Sequence, residues 1–103
     1  MNPVTAVKMT REEILDSQAP GAFVIVDRFN GATSSIYTLM YICPCGCSEL
    51  FSVLICEGLK QQDGVWAWDG NEETPTLSPS IRRLEGCKFH GFLQNGVWTG
   101  QNE

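Results

Sequence analysis

The run Cys43-Pro44-Cys45-Gly46-Cys47 places three thiols within five residues, and Cys87-Lys88-Phe89-His90 adds a fourth thiol beside the single histidine of the chain. Thiolates this close repel one another unless a cation neutralises them. A closed tetrahedron of sulfur and imidazole is what structural zinc prefers. Five side chains, Cys43, Cys45, Cys47, Cys87 and His90, compete for four places. The spacing favours Cys43, Cys45, Cys87 and His90, with Cys47 as the substitute or a neighbouring thiol. Pro44 stiffens the turn after Cys43, and Gly46 allows the unusual φ that a knuckle needs. Cys56 closes an apolar strand and reads as a small core thiol.

Other chemistries find less support. A catalytic zinc keeps an open position and a carboxylate nearby as base; Glu49 and Asp69 are the candidates, and neither has a second histidine to work with. A nucleophile–histidine–acid relay is set aside because the sole histidine is committed to the metal. No H-x-E with P-C-x-x-C deaminase signature occurs. The chain therefore reads as a binding module, with a zinc-dependent hydrolase as the lesser alternative.

Composition narrows the setting. At 103 residues, 43% hydrophobic and 18% charged, the chain is expected to form one globular domain, 1–103, whose small core gains from a metal cross-link. A net charge of −5 argues against nucleic-acid backbone as a partner, since Arg82-Arg83 is the one adjacent basic pair. No apolar run is long enough to span a bilayer, and the N-terminus has no secretory pattern. The expectation is a reducing cytoplasm, with disulfides disfavoured.

The positioning elements follow from local signals. Thr10-Arg11-Glu12-Glu13 fits a capping box that opens a short helix to about Ser17, and Pro20-Gly21 stops it. Residues 22–27 are β-branched and aromatic, so helix and first strand occupy 10–27. Asn30-Gly31 marks a turn. Residues 35–42 alternate with apolar side chains on both faces, as in a central strand, and 49–56 leave the cysteine cluster as its hairpin partner. Asp63-Gly64 precedes a strand at 65–68. In Thr76-Leu77-Ser78-Pro79-Ser80-Ile81 the proline permits an edge strand or a bulged crossing. Asn95-Gly96 is the strongest hairpin signal, joining 91–94 to 97–99. The fold class expected is β-rich α+β: a small antiparallel sheet with a short N-terminal helix and zinc-ribbon or Rieske-like metal knuckles on a core spanning 35–99.

Two resemblances add to this. Cys87-Lys88-Phe89-His90-Gly91 is similar to the second cluster-binding box of Rieske iron–sulfur proteins, with Cys43-Pro44-Cys45 where C-x-H stands in that family; it implies a 2Fe-2S cluster and electron transfer. The series Tyr41 to Cys47, Trp66-Ala67-Trp68-Asp69-Gly70, Pro75 to Ile81 and Gly86 to Phe92, through Asn95-Gly96-Val97, resembles a small family of bacteria and phages. Some of its members are labelled ammonia monooxygenase, and others lie beside ubiquitin-like conjugation genes. That resemblance covers 35–98 and implies a metal-binding β domain. The resulting expectation is a zinc-stabilised accessory or adaptor protein, bacteriophage or bacterial, that binds another protein such as a host-defence or ubiquitin-like component. Trp68, Asp69, Ser78 and Ser80 are the candidate partner-binding residues.

Overall fold

A computed structural model of the chain describes residues 1–27, 36–58 and 64–103. The Asn30-Gly31 turn and Asp63 lie outside the described residues. The fold is mostly β, largely antiparallel, with one short helix. Thr10 caps α1 (Arg11–Asp16): Glu13 N donates to Thr10 Oγ1 at 3.1 Å, and Thr10 N donates to the Glu13 carboxylate at 2.9 Å. The helix ends at Ser17 as expected.

Two sheets stand where one was expected. The larger has the order β2 (Val7–Lys8), β3 (Ala22–Asp27), β4 (Ile36–Ile42), β5 (Leu50–Glu57), β6 (Val65–Trp68), β7 (Leu77–Ser78). The smaller runs β1 (Val4–Thr5), β10 (Val97–Asn102), β9 (Phe89–Gln94), β8 (Ile81–Arg82). The pairs β2–β3 and β5–β6 are parallel, which the sequence reading did not anticipate. Two-residue strands such as β1, β2, β7 and β8 carry too little periodicity to be seen in a sequence.

The double-sided apolar pattern of β3 and β4 has a direct cause. Phe23, Leu39 and Tyr41 face the second sheet, while Ala22, Val24 and Ile42 face Ile14 of α1. The larger sheet is thus a middle layer. Trp98 fills the space between the sheets, fully buried, 4.9 Å from the Tyr41 ring, with its indole N–H donating to Gly21 O at 3.1 Å. Trp68 is also buried and Trp66 partly so, in line with two core tryptophans out of three.

Pro79 resolves as the crossing: the chain leaves the larger sheet after Ser78 and enters the smaller one at Ile81. Behind β9, Gly91 pairs with Gly100 across the hairpin. A Cβ on Gly91 would run into the Thr99 carbonyl and the Phe89 ring, so the two strands approach as closely as glycine permits. Gly91→Ala is expected to cost about 1–3 kcal/mol, read as a fall of several degrees in thermal midpoint.

Candidate functional site

Cys43 follows β4 directly and is buried in the core between the sheets, and Cys87 precedes β9 of the other sheet. The Sγ atoms of Cys43, Cys45, Cys47 and Cys87 all lie within 4.8 Å of one another, and all five cysteines are free of disulfides. Cys43 Sγ is 3.2 Å from Cys45 Sγ and 3.6 Å from Cys87 Sγ. A zinc–sulfur bond of about 2.3 Å implies sulfurs about 3.8 Å apart in a regular tetrahedron, so this spacing fits a four-thiolate ion site. The backbone prepares it: the amides of Cys45, Cys47 and Glu49 donate to the sulfurs of Cys43, Cys45 and Cys47 in turn. Gly46 takes φ +97, a left-handed conformation that a side chain would strain.

The electrostatics show what the site lacks by itself. Burial pushes the Cys43 thiol far above its ordinary value and raises Cys47 as well. At Cys45 burial opposes ionisation too, yet hydrogen bonds from Asn102 and Cys43 outweigh it and bring the thiol down to about 7. Among the described residues two buried polar atoms have no hydrogen-bond partner: Tyr41 OH and Arg83 Nε. Tyr41 is close enough to feel Cys43, Cys87, Cys47 and Arg83, and burial holds its phenol well above the usual range. An orphan phenol near the thiols suits a metal-bound thiolate set, whose negative charge would favour a donor beside it.

His90 is elsewhere. Of the four ligands favoured by spacing, the structure brings together Cys43, Cys45 and Cys87, and Cys47 rather than His90 completes the group. The His90 ring instead lies between Ser80 and Glu103: Ser80 Oγ is 3.0 Å from Nε2, and Glu103 Oε1 is 3.3 Å from Nδ1. The histidine is therefore within reach of a hydroxyl nucleophile, contrary to the expectation that the metal would occupy it. In the tautomer whose Nδ1–H donates to the Glu103 carboxylate, Nε2 is left to accept from the Ser80 hydroxyl.

The register explains this meeting. Ile81 pairs with Gly91 and Arg82 with His90, so the buried Ile81 leaves Ser80 and Arg82 on the same outward face as His90. Gln101 pairs with His90 on the other side, which carries Glu103 just past it. Arg82 holds the Glu103 carboxylate with its fork, Nε to Oε1 at 2.9 Å and Nη2 to Oε2 at 3.4 Å. A shallow cavity of about 330 Å³ beside the ring is lined by His90, Gly91, Phe92, Gly100 and Gln101. Ser80's own carbonyl accepts from the Trp66 indole at 3.2 Å, which fixes its backbone.

The other candidates fall in varied places. Trp68 is buried and its indole N–H donates to Asn71 O at 3.2 Å, so it offers no exposed surface to a partner. The Asp69 carboxylate accepts from the amides of Asn71 and Thr76, organising its own loop. Ser78 is exposed at the end of β7. Cys56 is partly buried and set apart from the cluster. Glu103 was missed. Its signal was arithmetic: the two-residue Asn95-Gly96 turn sets Gln94 opposite Val97, and counting outward reaches His90 opposite Gln101. Replacing the acid, Glu103→Gln, is expected to slow any reaction at Ser80 by roughly 10²–10⁴-fold with little change in thermal midpoint, since the carboxylate is partly exposed.

Two packed sheets, a four-cysteine group and a Ser–His–Glu line define a small β protein with a candidate metal centre and a candidate hydrolytic site. The chain belongs to the family described as bacterial ubiquitination-like system serine protease (BubE), whose sequence model matches residues 9–100. No curated protein and no solved structure matches it. Among the described residues no helix is long and apolar enough to cross a membrane.

Proposed function

We propose that this protein is a serine protease of a ubiquitination-like system, with Ser80 as nucleophile, His90 as general base and Glu103 as the acid that orients it. The observation that carries this reading is the hydrogen-bonded line from Ser80 Oγ through the His90 ring to Glu103 Oε1. Ser80 Oγ attacks the carbonyl carbon of a scissile amide while Nε2 takes its proton. His90 then returns that proton to the leaving amine, and water repeats the cycle on the acyl-enzyme. Glu103 holds the tautomer and balances the imidazolium; Arg82 keeps the carboxylate turned toward the ring. The protein partner expected from the sequence is, in this reading, the substrate: a protein of the ubiquitin-like system.

The metal assigned to the cysteine group is zinc, held by Cys43, Cys45, Cys47 and Cys87. Four sulfurs close a tetrahedron and leave no place for water, so the ion would act as a clamp between the sheets and take no part in bond making. The iron–sulfur reading loses its distinguishing ligand, because His90 lies outside the group. A fluorophosphonate probe tests the proposal. The expected result is one covalent adduct per chain, mapped by peptide mass spectrometry to Ser80; a folded, zinc-loaded chain that takes no label would rule the protease out.

A further inference from the structure

The strand that leads to the relay acid, β10, is tied back to the thiol group at its end by one side chain. Asn102 Nδ2 donates to the Cys87 carbonyl at 2.7 Å. The same carboxamide hydrogen-bonds the Cys45 thiol and is one of the contacts that lower it. A carboxamide has two N–H groups, so one side chain can serve both ligand-bearing turns at once. Its backbone lies opposite Phe89, and the next residue, Glu103, is fixed by its amide donating to the Lys88 carbonyl at 2.9 Å. Lys88 stands at φ +52 between the ligand Cys87 and the buried Phe89.

We infer that Asn102 is a positioning residue that couples the cysteine cluster to the hydrolytic relay, holding the end of β10 so that the Glu103 carboxylate meets His90. The inference rests on the relay proposed above. The end of a strand frays unless something holds it, and here the holding contacts come from the two turns that carry the thiols. When Cys45 is a metal-bound thiolate, its sulfur is a charged, immobile acceptor, and the bond from Asn102 is firmer than one to a free thiol. Loading the cluster therefore orders Glu103, and through Glu103 it sets the orientation of the His90 ring. Ser80 reactivity follows the state of the cluster although no thiol touches the relay.

The test uses the whole zinc-loaded chain and a fluorophosphonate. In that reaction Ser80 Oγ attacks phosphorus, the P–F bond breaks, fluoride leaves, and the hydroxyl proton passes to His90. Asn102→Ala is expected to keep its zinc and its thermal midpoint, to bind the probe with unchanged affinity, and to react at a saturating rate roughly 10- to 100-fold lower, the scale of a small misplacement of a catalytic group. Amide exchange at Glu103, followed by NMR, should quicken in this variant and in the wild type after zinc is chelated. Asn102→Asp, which sets a carboxylate against the thiolates, should also lose zinc affinity. An Asn102→Ala chain that reacts within twofold of wild type with Glu103 exchange unchanged overturns the coupling, and so does one that sheds its zinc, since the residue would then be a support of the metal alone. Ser80→Ala separates the two ideas: label that persists in Ser80→Ala sinks the relay, whereas loss of label there with an indifferent Asn102→Ala sinks only the coupling. The exchange measurement reads the coupling even in a chain that takes no probe.

Discussion

Ser80→Ala is expected to abolish fluorophosphonate labelling and to lower peptide or ester hydrolysis by roughly 10³-fold or more, with no loss of folding. The size follows from the chemistry. Alanine removes the hydroxyl that lies 3.0 Å from His90 Nε2, so among the described residues no activated nucleophile remains on that ring nitrogen. The fold has little reason to change, because the backbone there is held by the Trp66 indole on the Ser80 carbonyl and by the Ile81–Gly91 pairing. His90→Ala should be equally inactive, since members of one relay fail together and their effects do not add. The discriminating measurement is circular dichroism beside the labelling assay: full activity in folded Ser80→Ala would end the assignment, and the thiols would then be the next nucleophiles to examine.

The second large effect concerns the metal. Elemental analysis of protein purified under reducing conditions should give one zinc per chain, and Cys43→Ser or Cys87→Ser should lose it. Tight binding stabilises the folded state by about 4 kcal/mol at a thousandfold excess over the dissociation constant, so chelation should lower the thermal midpoint by at least about 10 °C. The apo chain should remain folded, because the ring contacts of Trp98 with Tyr41 and Phe89 join the two sheets without needing an ion. Acidification weakens the site, as protons compete for the sulfurs. In the metal-free chain Cys45 and Cys43 act in opposite senses. The stabilisation from Cys45, lowered to about 7, is present above the ordinary thiol value and is lost as pH falls through about 7; the burden of Cys43, raised by burial, appears as pH rises past the ordinary thiol value. A colourless protein with zinc supports the assignment; an iron-rich brown one replaces zinc with a cluster, and a chain with neither metal overturns it.

Much of the framework was readable in the sequence because its signals are local. The Thr10 capping box, the two-faced pattern of β4 and the Asn95-Gly96 hairpin each act over a few residues, and each element formed where its signal lay. The cysteine group was visible too, since three thiols within five residues are close along the chain whatever the fold. Its fourth member stayed open in the sequence: Cys47 and His90 are both three or fewer residues from a partner, and only the direction of the side chain separates them. His90 lies in β9 with Phe89 turned inward before it, which sends the ring to the opposite face from the core. The relay depends on pairings between strands far apart in sequence, and β8, two residues long, leaves no periodic trace of its register. Such sites become visible only when the sheet is assembled.

The order of the strands along the chain separates the scaffold from the proposed relay. Strands β2 to β7, the whole of the larger sheet, end at Ser78, and every residue of the relay comes after it. The larger sheet thus contributes no member of the proposed relay and touches it at the Ser80 carbonyl, through the Trp66 indole. Scaffold and proposed chemistry therefore occupy separate stretches of the sequence, so substitutions in β2 to β5 can change stability without altering the groups that would react.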